Sequence, residues 1–368
     1  MGATAIGVGG MMGAGLYTLL GLAANSAGVW LPVSFLIGGI VAAFSVYSYS
    51  KLGMKYPDRG GAAKFLLKEF GDGLLAGGMN VFQYIGWIIT MALYATGFAE
   101  YACQLLGKSS SGWLGKAISI GIVIVVVAIN IMGSKQVARA QTAIIAFELL
   151  ILLSFVAVGL TKLHVPTITS SNSGNIVGIL SAAGLLYVTY EGFGVVTNAA
   201  GSMVNPKKQL PQALFFSLGI VMVIYIVASV VVVMTLGVQG AVANQGHVLA
   251  TAGKLVLGNW GLFITSLIVC IFVVIFPLSA VGEMASLAFL LVYAMVNLGH
   301  LRIAGQTGAK RWILICSVVL NLALFIQTIL NHETLTWISV IALLIISFLV
   351  ELAWRKKNKR NLHWLGKK

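Results

Sequence analysis

The sequence predicts an all-α, polytopic membrane protein of about 11 spans, and three observations carry that expectation. Charged residues make up 9% of the 368 and hydrophobic ones 59%, whereas a soluble domain carries roughly 25% charged residues. Apolar runs of about 18 residues or more, long enough to cross a hydrocarbon core, recur from end to end. The basic residues lie between those runs and in a tail from Arg355 to Lys368, where topogenic charge belongs.

The runs fall at about 4–24, 31–50, 74–106, 113–132, 138–161, 175–201, 212–236, 255–279, 284–301, 312–330 and 334–354. The first is Gly-rich and lacks a basic leading region, so it reads as a span and not as a signal peptide. The longest polar stretch, Lys51 to Gly73, leaves no room for a soluble domain. One transmembrane domain therefore covers 1–368.

Charge then orients the chain. With the N-terminus in the cytoplasm, inner loops through the seventh span hold Lys51, Lys55, Arg59, Lys64, Lys68, Lys135, Arg139, Lys207 and Lys208, and outer loops hold Lys108, Lys116, Lys162 and Lys254. The excess favours that orientation. Eleven spans, however, put Arg302, Lys310, Arg311 and the basic tail outside, where such charge is unfavourable. The conflict points to the block 255–301, which is broken only by Pro277 and the polar stretch Ser279–Glu283. A segment holding one span is expected to be missing between about Ala280 and Val281, with the defect at residues 277–284. Both termini are then expected in the cytoplasm of a multi-pass protein of the plasma (inner) membrane.

The net charge of +14 is spread as loop and tail charge, which matches anionic lipid and not a nucleic-acid surface. Cys103, Cys270 and Cys316 lie in separate apolar runs, without metal spacing or a disulfide framework. The five histidines show no metal spacing either. No paired acids or nucleophile–base pair suggests catalysis, and no phosphate-binding loop suggests ATP-driven pumping. No cofactor, metal, enzymatic activity or nucleic-acid partner is expected.

Two spans carry breaks. Gly7, Gly9, Gly10, Gly13 and Gly15 crowd nine residues of the first, each costing a helix about 1 kcal/mol relative to Ala. The sixth span repeats the device at Gly184 and at Glu191-Gly192-Phe193-Gly194. Unwound backbone at membrane depth is tolerated where it lines a cavity, and paired breaks of this kind mark the solute site of inverted-repeat transporters. Free N–H groups at a half-helix start attract a carboxylate, and free carbonyls at a half-helix end attract an ammonium. A zwitterionic amino acid satisfies both. Gly13, Ala14 and Gly15 are the expected donors; the backbone of Met11, Val188 and Glu191 supplies acceptors, with Gly192 and Phe193 completing the substrate site. Tyr84, Trp87, Tyr94 and Tyr187 could also line or gate it, although aromatics in apolar helices mostly serve as packing or interface anchors.

The run Gly9-Gly10-Met11-Met12-Gly13-Ala14-Gly15-Leu16-Tyr17 resembles the first-helix motif of the amino acid–polyamine–organocation permeases. Tyr56-Pro57-Asp58-Arg59-Gly60-Gly61 is similar to their second inner-loop signature. Tyr190-Glu191-Gly192-Phe193 with Asn205-Pro206-Lys207-Lys208 and Pro211 resembles their sixth helix and its following loop, and Ala285-Ser286-Leu287 through Tyr293 and Asn297 their tenth. The resemblance implies a five-plus-five inverted-repeat (LeuT-like) fold with broken first and sixth helices, usually of twelve spans, and amino-acid symport or exchange. It implies a first repeat at about 1–161, a second at about 175–301, final helices at 312–354 and a basic cytoplasmic tail at 355–368. Gly201 and Ser202 stand where relatives often carry acids, and what looks like the eighth helix runs directly into the tenth. The ninth is therefore expected to be the missing one, and transport by this chain weakened or lost.

Intramembrane acids are functional candidates by default, because a carboxyl withdrawn from water exchanges its proton nearer neutral pH. Glu148, alone inside the fifth span, is the expected site of proton coupling; the resemblance places it where some relatives carry a lysine. Glu191 is expected to act through its backbone and as a structural or gating group. Glu100 reads as interfacial. The expected partners are an amino acid, a proton or counter-substrate, and membrane lipid. Two alternatives remain: a non-transporting remnant of such a permease, and a carrier of polyamines, nucleobases or inorganic ions on the same fold.

Overall fold

In the computed structural model, residues 2–58, 60–110, 112–131, 134–161, 174–244, 248, 282–331 and 334–366 are described. Their regular structure is helical throughout. The helices are α1 (Gly2–Met11), α2 (Ala14–Ala27), α3 (Leu31–Lys55), α4 (Gly61–Phe70), α5 (Leu74–Leu105), α6 (Trp113–Ile131) and α7 (Ser134–Leu160). After these come α8 (Ile176–Leu186), α9 (Phe193–Asn198), α10 (Pro206–Ala243), α11 (Gly282–Thr307), α12 (Arg311–Asn331) and α13 (Thr334–Lys357). Seven helical stretches among the described residues are long and apolar enough to cross a membrane. The expected eighth span, 255–279, and the junction at Ala280 and Val281 lie outside the described residues.

Local chemistry sets the ends. Pro32 and Pro206 stand in the first turns of α3 and α10, where a missing N–H costs nothing. Asn175 caps α8 by accepting from the Gly178 N–H at 2.7 Å, as an N-cap side chain should. The regular part of α10 ends at Gly237, whose φ of 69° lies outside helical space. The core is shared by α2, α3, α5, α8, α10 and α11, which surround both breaks.

The polar stretch Lys51–Gly73 contains α4, a helix that the apolar runs did not announce. Its buried side chains are Ala62, Phe65, Leu66, Glu69 and Phe70, one stripe at helical spacing, and it packs against α11 and α5.

Several contacts gather the basic segments onto one face. The Leu74 and Leu75 N–H groups donate to the carbonyls of His363 and Trp364, and the Gly366 N–H donates to the Phe70 carbonyl. Gly71, at φ 75°, passes so close to Gly366 that a Cβ on either would strike the other's backbone. Arg355, 2% exposed, pairs with Asp72 and with Glu351, the latter at 2.6 Å. At the end of α11, the Tyr56 hydroxyl donates to Gln306 at 3.1 Å and Arg302 lies over the Phe70 ring. The stretch 56–73, the 302–311 segment and the tail thus share a face.

Candidate functional site

Both breaks appear as real discontinuities. The first span parts between α1 and α2 at Met12-Gly13, with Gly13 extended at φ −125° and ψ −177° and no side chain capping α2. The sixth passes from α8 into a 3-10 turn at Tyr187–Tyr190, a turn at Glu191-Gly192, and the short α9.

The breaks meet. A Cβ on Gly192 would strike the carbonyl carbon and oxygen of Gly10, and one on Gly10 would lie 3.0 Å from the Gly192 oxygen. Gly15 faces Thr189, with its would-be Cβ 3.1 Å from Thr189 Cγ2. Only glycine permits backbones to approach this closely. In this conformation the first and sixth helices touch at the height where a solute was expected.

The unwound polar groups are largely satisfied from neighbouring helices. The Tyr225 hydroxyl of α10 is within 2.6 Å of the Met11 carbonyl and 3.3 Å of the Thr189 carbonyl, so one phenol spans both breaks. The Val188 N–H donates to Ser286 Oγ at 3.2 Å, and the Ser286 hydroxyl donates to the Gly184 carbonyl at 2.5 Å. The Val188 carbonyl accepts the Glu191 N–H, and the Met11 carbonyl also accepts the Gly13 N–H. Buried Glu191 receives the Tyr293 hydroxyl at 2.9 Å on Oε1. A carboxylate would receive such a bond as a charge-assisted one.

Of the expected substrate-site residues, Met11, Gly13, Gly15, Val188, Glu191, Gly192 and Phe193 are buried together around this junction. Ala14 opens α2 there, but its side chain lies outside the described residues. Phe193 packs against Tyr293 at 4.9 Å between ring centroids, tilted by 30°, and meets Tyr49 edge-on at 5.3 Å. Tyr187 is buried beside them, 3.2 Å from Ser45 Oγ. Tyr94 packs against the same core. Tyr84, 67% exposed, is away from the junction, and Trp87 packs edge-on to Phe289. Glu148 belongs to α7, but its side chain lies outside the described residues.

Sequence reading missed Tyr225, and it assigned no site role to Ser286 and Tyr293. The signal was present: Tyr225 interrupts an otherwise apolar stretch, Val221–Ala228, and a phenol buried in such a run needs a partner.

The sequence profile described as amino acid permease matches residues 1–367. An uncharacterized protein of Methanocaldococcus jannaschii is 29% identical over 414 aligned positions, covering 97% of this chain and 95% of the relative. An inner membrane transport protein of Escherichia coli is 26% identical over 411 positions, covering 96% and 95%. A cationic amino acid transporter of Arabidopsis thaliana is 25% identical over 239 positions, covering 61% of this chain and 40% of that transporter. The first two alignments run longer than the chain's 368 residues, so both relatives carry residues with no counterpart here.

Proposed function

Because the chain belongs to the amino acid permease family and is a multi-pass membrane transporter of that kind, we propose that it carries a zwitterionic amino acid by proton-coupled symport or exchange. The observation that carries the reading is the junction of the two breaks, with Tyr225 joining them. The N–H groups at the start of α2 (Gly13, Ala14, Gly15) would take the carboxylate. The carbonyls near Met11, Val188 and Glu191 would take the amine once the helices part and the present bonds exchange. Phe193 would close over the solute. Glu148 would carry the proton, since a lone acid in an apolar helix is costly to keep without a role.

The test is uptake of labelled amino acids into proteoliposomes. Gly15→Val and Gly13→Val should abolish binding in protein that still inserts, and Glu148→Gln should remove accumulation driven by a pH gradient while exchange persists. Unchanged binding in the glycine variants would remove the site; unchanged gradient-driven accumulation would remove the role of Glu148.

A second reading has its own support: a damaged permease missing its ninth span. Residues 56–73, 302–311 and the tail share a face, so an even number of crossings separates them. Between 73 and 302, the helices α5, α6, α7, α8–α9, α10 and α11 supply six crossings if each crosses once. A single added span at 255–279 would make that number odd. The unmatched residues of the two long alignments agree with a lost segment. On this reading both termini are cytoplasmic at the plasma membrane, transport is weak, and restoring a span of about 20 residues near Ala280 repairs it. A reporter on Lys368 found outside, with robust uptake, would overturn it.

A further inference from the structure

Glu69 is a buried acid that the substrate site does not use. It lies on α4, is 0% exposed, and neither carboxyl oxygen has a hydrogen-bond partner among the described residues. A Cβ on Gly299 of α11 would strike Glu69 Oε2, so α11 keeps a glycine where the carboxyl is seated.

The cations of the packed elements are engaged elsewhere. On α4, Lys64 pairs with Asp58 at 3.0 Å and Lys68 lies over the Tyr56 ring. On α3, Lys51 lies over the Tyr47 ring and Lys55 is exposed. On α11, Arg302 lies over the Phe70 ring, and His300 is bonded to Ser48 and Thr307, each at 2.7 Å. The only charged residue of α5, Glu100, stands near its opposite end, and α9 has none. The titratable group that faces Glu69 from α3 is Tyr49, whose hydroxyl is also buried without a partner among the described residues. An isolated carboxylate in such a place is far more costly than the neutral acid. Burial alone pushes the Glu69 carboxyl well above the ordinary carboxylic-acid range.

We propose that Glu69 is a proton-binding site that controls the docking of α4: the neutral carboxyl seats against Gly299, and loss of its proton to water at this face releases the helix. The step is a simple exchange, with Glu69 taking a proton from that water and returning it on release. Tyr49 connects the event to the substrate junction. Its ring meets Phe65 of α4 edge-on at 5.5 Å, and it meets Phe193 and Tyr293 of the site, each at 5.3 Å. Moving α4 therefore frees one wall of the residues that pack the break. The proposal does not depend on which solute is carried or on Glu148.

The sign follows from linkage. A carboxyl whose folded value is raised favours the docked state at low pH, and that preference is lost as pH rises through the raised value.

The test uses the full-length protein with its native cysteines replaced and a reporter cysteine at Ala62, on the buried stripe of α4. The labelling rate by an impermeant maleimide is compared between this parent and the same protein carrying Glu69→Gln, which mimics the neutral acid. Taking the ratio at each pH cancels the reagent's own pH dependence. The ratio should climb by up to about tenfold per pH unit through the titration, as one released proton per opening requires. A ratio constant with pH overturns the proposal. Should Glu69→Gln fail to insert, Glu69→Met offers an uncharged side chain of similar size and the same reading. Infrared difference spectra of parent and Glu69→Gln give a second measure: a protonated-carboxyl band confined to the parent and lost over the pH range in which the ratio climbs is expected, and no such band at any pH contradicts it.

Discussion

The first helix breaks with no acid of its own, and it relies on backbone and on a phenol reaching in from α10. The sixth breaks around Glu191 and is held by two α11 side chains, Ser286 and Tyr293. Both must satisfy orphaned backbone without water. The difference lies in who supplies the partners. The first break is tied to α10 through Tyr225, the sixth to α11 as well, and Tyr225 is the one hydroxyl seen to reach both. The two breaks thus share one anchor, Tyr225, and meet at the Gly10–Gly192 contact, while Ser286 and Tyr293 serve the sixth alone.

That contrast can be broken most severely at the glycine contact. Gly192→Ala places a methyl into the Gly10 carbonyl, and overpacking of this kind costs about 1–3 kcal/mol and occasionally more. It should lower the melting temperature and eliminate uptake. Gly10→Ala, with 3.0 Å available, should do markedly less. Equal losses in the two variants, read by thermal unfolding in detergent, would mean that the breaks do not meet as described.

A smaller effect separates the anchors. Tyr293→Phe strips Glu191 of a 2.9 Å hydroxyl donor, while Tyr225→Phe removes the phenol from the Met11 carbonyl, which keeps the Gly13 N–H, and from the Thr189 carbonyl at the longer 3.3 Å. Each unsatisfied buried group costs about 1–3 kcal/mol. Tyr293→Phe should therefore destabilise more, and Tyr225→Phe should act mainly on substrate affinity through the junction. A reversed order of melting temperatures would assign the anchors the other way round.

Much of this was legible in the sequence, because lipid restricts what a chain can do. Ten of the eleven apolar runs coincide with described helices, and the glycine clusters marked both breaks. The run read at 212–236 stopped where Gly237 ends the regular helix, but its polar first turn from Pro206 carried no apolar signal. The run read at 284–301 continues to Thr307, since Arg302 and Gln306 occupy the last turns of α11 at the basic face. Helix α4 was hidden because Lys64, Lys68 and Glu69 make it look like loop, and the burial of Glu69 runs against every compositional rule. Tyr225 escaped because a lone aromatic in a long apolar run resembles an interface anchor until its carbonyl partners are seen. Tyr84 shows the converse: its 67% exposure agrees with the interface-anchor reading and not with a place in the site, which its position on α5 alone could not decide.

On the proposed function, the solute is held by its own carboxylate and amine at the two breaks. Competition against binding of a labelled zwitterionic amino acid tests it most directly, with the same amino acid supplied as its methyl ester and as its N-acetyl derivative. The unmodified amino acid should compete and neither blocked form should, because each removes one of the two charges. Full competition by either blocked form, or binding unaffected by Gly15→Val in correctly inserted protein, would contradict it.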